Sequence, residues 1–256
     1  MTGVLRALRV LCGLGLCLSA LPVDGAGPRS GYEFIKPDTH EMQDDDFLNP
    51  GMLTVERGHA LFQAQPAGGG KSCAGCHGAD GAGLDSAGIA GYPRYRDGAV
   101  LTLQEQINSC RARDGGAALP VDHPELVALE TFVRNRARGE PVNVRTDGPV
   151  AALLARGEQL YRTRYGLIDI SCQHCHEIYP GQMIRGQQIS EGQGNGFPAY
   201  RLDIGEITNL PQRIQQCLTL MRAEPFASGS EELELLELYM MSRSNGLPIE
   251  TPAVRY

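Results

Sequence analysis

Two stretches of the chain carry apolar residues at the spacing of a helix buried along one face. Glu125 to Arg138 brings Leu126, Leu129, Phe132 and Val133 into register, and Glu231 to Arg243 does the same with Leu233, Leu236, Tyr239 and Met240. Short helices are expected ahead of residues 73 and 172. A different pattern opens the chain, where Val10 to Leu21 is almost wholly apolar, follows Arg6 and Arg9, and precedes Val23-Asp24-Gly25. That order predicts an export signal over residues 1–25, because the run is too short and too early for a membrane span. An uncleaved anchor is the rival reading. Gly186 to Gly196, rich in Gly and Gln, reads as a loop, and Gly and Pro between Gly139 and Pro149 interrupt two helical patterns.

The patterns recur. Arg57-Gly58 with Leu61-Phe62 matches Arg156-Gly157 with Leu160-Tyr161, 99 residues on. Gly91-Tyr92-Pro93-Arg94-Tyr95-Arg96 matches Gly196-Phe197-Pro198-Ala199-Tyr200-Arg201 at a displacement of 105. Ile107 and Cys110 match Ile214 and Cys217 at 107, a register kept by Leu129/Leu236, Phe132/Tyr239, Arg136/Arg243 and Pro141/Pro248. A duplicated module explains this. The expected organisation is a signal at 1–25, a polar arm at 26–50, a first domain at 51–145 and a second at 146–256. The fold class is mainly α, with two tandem domains related by duplication and long loops.

Composition narrows the chemistry. A net charge of −7 argues against nucleic acid as a partner. Eight Cys and no Trp are the unusual numbers. Cys12 and Cys17 leave with the signal, and six cysteines remain in an exported, oxidising setting, where disulfides are the default. Their spacing points elsewhere. Cys73-Ala-Gly-Cys76-His77 and Cys172-Gln-His-Cys175-His176 both spell C-x-x-C-H, the attachment signature of c-type haem. Two thiols one turn apart reach the two vinyl groups of a porphyrin, and the adjacent His lies under the iron. A redox pair or a zinc half-site is the competing reading of each motif. Two covalently bound haem c groups are therefore expected, with His77 and His176 as proximal ligands, and the two tandem domains are expected to be cytochrome c-like.

Electron-transfer haems take Met, His or Cys on the other side. No Met lies between Cys76 and Gln182, which leaves Cys110 and His123 downstream in the first module, with Met52 and His59 ranked lower upstream. Cys110 is preferred because its repeat mate is Cys217, whereas His123 matches Ser230. His77/Cys110 and His176/Cys217 are the expected ligand pairs. A Cys110–Cys217 disulfide and ligation by Met221 are the alternatives, and Met240 and Met241 read as core. Sulfur ligation lowers a haem potential and makes the sulfur itself a candidate reactant. Features of one copy alone are the best candidates for chemistry. Arg213, one turn before Cys217, stands where the first copy has Gln106, and Arg222 where it has Gly115. Extra guanidinium groups favour a thiolate and offer a fork for an oxyanion, against the plainer reading of solvated helix arginines. Arg96/Arg201 and Arg136/Arg243 occur in both copies, so propionate pairing or fold support is their first reading.

At these residues the chain resembles the SoxA family, the catalytic cytochrome subunits of the SoxAX L-cysteine S-thiosulfotransferases of bacterial sulfur oxidation. The resemblance spans the mature chain. It includes Met42-Gln43-Asp44-Asp45-Asp46, Asn49-Pro50-Gly51-Met52, both C-x-x-C-H sites, Ile107-Asn108-Ser109-Cys110-Arg111, Gly194 to Leu202, and Cys217 with Met221-Arg222-Ala223-Glu224-Pro225. It implies a periplasmic enzyme that joins thiosulfate to a cysteine of the carrier SoxYZ and passes two electrons to cytochrome c, with the monohaem cytochrome SoxX as partner subunit. Carried over, Cys217 would be the catalytic cysteine, found in the family as a persulfide, with Arg213 and Arg243 lining the substrate site. Arg243 keeps a second, structural reading from its mate Arg136. The rival functions are a purely electron-transferring dihaem cytochrome and a thiosulfate dehydrogenase making tetrathionate.

Overall fold

A computed structural model describes residues 27–256, so the expected signal, with Cys12 and Cys17, lies outside the described residues. The arm forms α1 (Pro37–Asp44), with proline in its first turn, where a missing N–H costs nothing. Gln43 at its end is buried and accepts from the Val254 N–H at 3.0 Å, tying the arm to the far end of the chain.

The first module runs through α2 (Met52–Gln63), α3 (Cys73–His77), α4 (Ser86–Ala90), an antiparallel hairpin of β1 (Arg94–Arg96) and β2 (Ala99–Leu101), α5 (Leu103–Arg113) and α6 (Pro124–Asn135). The order then recurs. In the second module α7 (Ala151–Arg162) corresponds to α2, and a turn of π-helix at His174–Ile178 carries the second histidine motif. β3 (Met183–Ile184) pairs with β4 (Gln187–Gln188), and β5 (Ala199–Arg201) with β6 (Glu206–Thr208). α8 (Leu210–Leu220) and α9 (Glu231–Ser242) match α5 and α6. The mainly helical, duplicated architecture expected from the patterning is present. β7 (Ala253–Arg255), outside any repeat, adds to β5 in parallel with Tyr200 opposite Val254.

The repeated Arg-Gly pair has a packing cause. α2 meets α6 at Gly58, where a Cβ would fall 2.0 Å from the Ala128 carbonyl oxygen. α7 meets α9 at Gly157, where a Cβ would fall 2.3 Å from that of Leu235. Ala128 and Leu235 are themselves mates in the 107-residue register, so one helix crossing has been kept twice. Around it the predicted stripes are buried: Phe62, Leu126, Leu129 and Phe132 in one module, Tyr161, Leu233, Leu236 and Leu238 in the other.

The cysteine helices start at fixed points. Thr102 and Glu105 form a reciprocal capping box at α5, and Asn209 and Gln212 form one at α8, each satisfying two otherwise orphaned N–H groups. Between modules, equivalent segments pair with each other. Pro141 lies opposite Pro248, with hydrogen bonds of 2.9 Å from Gly139 N to Ile249 O and from Ile249 N to Glu140 O. The halves thus meet about a local pseudo-twofold. The Gly186 to Gly196 stretch, read as a loop, is only partly one. After β4 it turns inward, because its polar groups find partners: Gly194 N donates to Ser244 Oγ at 2.8 Å and Asn195 Nδ2 to Pro248 O at 2.9 Å. Among the described residues no helix is long and apolar enough to cross a membrane.

Candidate functional site

Each module encloses a cavity on its own cysteines. The first, of about 450 Å³, has Cys73, Cys76 and His77 on one wall and Cys110 of α5 on another. Phe62, Leu103, Ile107, Leu129 and Val133 give it an apolar lining. Ser72 caps α3 by accepting from Gly75 N at 3.1 Å, which sets the two thiols one turn apart. Burial pushes the Cys73 thiol up. Opposite, Gln106 Nε2 donates to Cys110 Sγ at 3.3 Å. The other ligand candidates lie off the cavity. His123 caps α6 by accepting from Glu125 N, and His59 stacks on Phe132 with Nε2 3.2 Å from Asp80.

The second cavity, of about 230 Å³, has Cys172, Cys175 and His176 on one side and Cys217, Arg213 and Leu218 of α8 on the other. His176 Nδ1 donates to the Ser190 carbonyl at 2.8 Å, which fixes the tautomer and turns Nε2 toward the cavity. Gly192 makes this possible: at φ +80° it lies against the imidazole, and a Cβ there would be 2.9 Å from Cγ. His176 and Cys217 line the same cavity from opposite segments, close enough for the imidazole to help lower the Cys217 thiol. Burial pushes Cys172 up to about 12, with Cys217 nearby adding to it. Cys217 behaves oppositely. Burial alone would raise it, but Arg213, then His176 and Arg201, outweigh that and bring it down to about 7, the polarity a nucleophilic or metal-binding sulfur needs.

The six cysteines among the described residues are free, and Cys110 and Cys217 line different cavities, so no bridge joins them. Among the described residues no three His, Cys, Asp or Glu side chains are grouped so as to hold a metal ion. Paired thiols beside a histidine, a sulfur facing it and apolar walls fit a covalently held porphyrin in each cavity. Met221 and Met240 also line the second cavity.

The arginines separate. Arg213 shares the cavity with Cys217, four residues away on α8. Arg222 sits just past the helix end at φ +57°, exposed and off the cavity. Arg243 is engaged elsewhere: it pairs with Glu177 at 2.7 Å, donates to the Glu191 carbonyl at 3.0 Å and lies over the Tyr161 ring. It braces the segments flanking His176 and does not line the cavity. Two other arginines do: Arg201, which the sequence assigned to propionate pairing or fold support, and Arg255, which it did not single out. Arg201 was matched to Arg96 as a shared feature, but Arg96 is exposed on β1 whereas Arg201 is buried. Arg255 lies beyond the repeat.

The chain matches a family model described as the SoxA/TsdA cytochrome c domain over residues 57–142 and 156–249. It is 41% identical over 230 residues to the L-cysteine S-thiosulfotransferase subunit SoxA of Rhodovulum sulfidophilum, covering 89% of this chain and 80% of that one. To the subunit of the same name from Paracoccus pantotrophus it is 38% identical over 232 residues, covering 89% and 79%. Among solved structures, SoxXA from P. pantotrophus superposes with a TM-score of 0.82 at 35% identity, covering 90% of this chain and 87% of that one.

Proposed function

The chain belongs to the SoxA/TsdA cytochrome c family, and from that footing we propose that it is the catalytic subunit of an L-cysteine S-thiosulfotransferase with Cys217 as the reacting sulfur. It is a haem c protein; two groups per chain are inferred, held by Cys73 and Cys76 and by Cys172 and Cys175. The iron ligands are assigned as His77 with Cys110 and His176 with Cys217. The single observation that carries the reading is the placement of Cys217, facing His176 and flanked by Arg213 in a cavity of its own.

The substrates are thiosulfate and a cysteine of the SoxYZ carrier. Arg213 attracts the dianion, and its proximity favours the thiolate of Cys217. The Cys217 thiolate and the outer sulfur of thiosulfate join in an S–S bond with release of two electrons. Bound haem supplies the one-electron acceptor chemistry that passes them on to cytochrome c. A thiolate of the carrier then attacks the sulfur bearing the sulfonate, leaves as the S-thiosulfonate, and returns Cys217 as thiolate, as in thiol–disulfide exchange. Summed, one thiol and one thiosulfate give one thiosulfonate ester, a proton and two electrons. Arg243 supports the His176 segment through Glu177, and Arg222, exposed and off the cavity, is left without a part in it. A SoxX-type monohaem subunit is the inferred partner, in keeping with the SoxXA likeness, and the periplasm the inferred compartment.

Cys217→Ala tests the reading at unchanged haem content. Conjugation of thiosulfate to the carrier cysteine, followed by mass, is expected to fall by at least about 10³-fold; turnover at the wild-type rate would remove Cys217 from the mechanism. A thiosulfate dehydrogenase would instead give tetrathionate with no carrier present.

A further inference from the structure

Arg201 is only 3% exposed, yet its guanidinium is poorly provided for. Nε has no hydrogen-bond partner among the described residues, and the Asp203 carboxylate stands off at 3.5 Å. A buried cation held only by so long an ion pair is under-compensated, which leaves room for a second anion to meet it. Its neighbour worsens the imbalance: burial first and Arg213 second hold the Arg201 guanidinium down at about 10. Arg213 itself makes only a 3.4 Å contact with the neutral Gln216. The third cation on this cavity is different. Arg255 pairs with Glu250 at 2.6 Å and is neutralised. Two guanidinium groups therefore face the Cys217 cavity with no carboxylate in close pairing. The first module does not repeat these two positions, since the mate of Arg201 is exposed Arg96 and that of Arg213 is Gln106; Arg94 and Arg111 line its cavity instead, each donating to a backbone carbonyl.

We infer that Arg201 and Arg213 form a two-guanidinium cradle for a sulfur oxyanion, holding the sulfonate end of thiosulfate while its outer sulfur faces Cys217. This rests on the reading of Cys217 as the reacting sulfur and adds a positioning residue from β5 to it. Two planar forks match the three oxygens of a sulfonate. Their placement on a strand and a helix, both anchored by the capping box at Asn209 and the β5–β7 pairing, keeps the cradle fixed before substrate arrives.

Sulfate, which has the same oxygens but no sulfur to couple, is the probe. It is titrated calorimetrically into the haem-loaded chain with its partner subunit, beside Arg201→Gln, Arg213→Gln and the charge-loss control Arg145→Gln, whose side chain is exposed and paired with Asp147. Each cradle variant is expected to weaken sulfate about 10- to 100-fold, while the control binds as wild type. Sulfate affinity unchanged in Arg201→Gln would overturn the proposal; a simultaneous shift in the second haem's midpoint potential would then place Arg201 on a porphyrin carboxylate instead. Should Arg201→Gln fail to hold its haems, Arg201→Lys replaces it. A point charge without the planar fork is expected to weaken sulfate about 5- to 10-fold, and unchanged affinity again counts against the cradle. Conjugation by the Cys217→Ala chain is read separately, so a failed cradle and a failed cysteine give different results.

Discussion

Gly192 is set by a single close approach. With φ at +80° and the His176 ring against its Cα, it has neither the backbone conformation nor the space for a side chain. Alanine there costs about 1–2 kcal/mol for the left-handed backbone alone, and the imidazole must move off the Ser190 carbonyl that fixes its tautomer. Gly192→Ala is therefore expected to alter the electron paramagnetic resonance signal of the second haem while leaving the first unchanged. Identical spectra would show that the ring tolerates the added methyl. The residues around this cavity show what a sequence reveals and hides. Cys217 and Arg213 could be singled out because one helical turn separates them and the first copy lacks the arginine. Arg201 could not, because its distinction from Arg96 is one of burial, set by β7 arriving from the end of the chain. Nor could the engagement of Arg243, since Glu177, Glu191 and Tyr161 are distant from it in sequence.

Among elements, the helix crossings matter most for where the cavities lie. α2 on α6 and α7 on α9 fix one wall of each module, and both depend on a glycine facing a carbonyl. Gly157→Ala would force α7 and α9 apart by the reach of a methyl group, at a cost of about 1–3 kcal/mol for overpacking. A lower Tm is expected, by about 2–12 °C for a protein of this size, with cavity cysteines still reactive toward haem. A Tm equal to wild type would mean the helices slide without penalty. The stripes along α6 and α9 were legible because a buried helical face repeats in sequence at its own period. The short strands were not, since two- and three-residue ladders leave no period to read. The glycine-rich segment before Phe197 is the expected loop apart from β4, but a buried one, because its polarity satisfies interior partners instead of water.

At the scale of the whole molecule, the pseudo-twofold brings repeat mates into contact, and one such pair is acidic. Glu130 of α6 and Glu237 of α9 are 107 residues apart in the repeat register, and both are almost fully buried. Gln104 Nε2 donates to Glu130 at 3.0 Å, and Arg134 lies 3.6 Å away; the mate of Arg134 is Met241, so one cation serves two carboxyls. Burial pushes Glu130 up to about 7 despite Arg134, and burial with Glu130 beside it pushes Glu237 to about 8. Glu234, half-buried on the same helix and facing Glu105 and Glu231, is raised for like reasons. The folded chain thus holds protons that the unfolded chain, with carboxyls near their ordinary value, releases at lower pH. Linkage gives the sign: the contribution of these groups to stability is complete below about pH 4.5 and is lost as pH rises through about 7 to 8. Glu237→Gln keeps the shape of the protonated acid and cannot ionise. Its Tm is expected to match wild type near pH 5 and to exceed it at pH 8.5, by on the order of 5 °C. Parallel pH profiles for the two proteins would show that the modules meet over ionised carboxylates, with Arg134 sufficient for both.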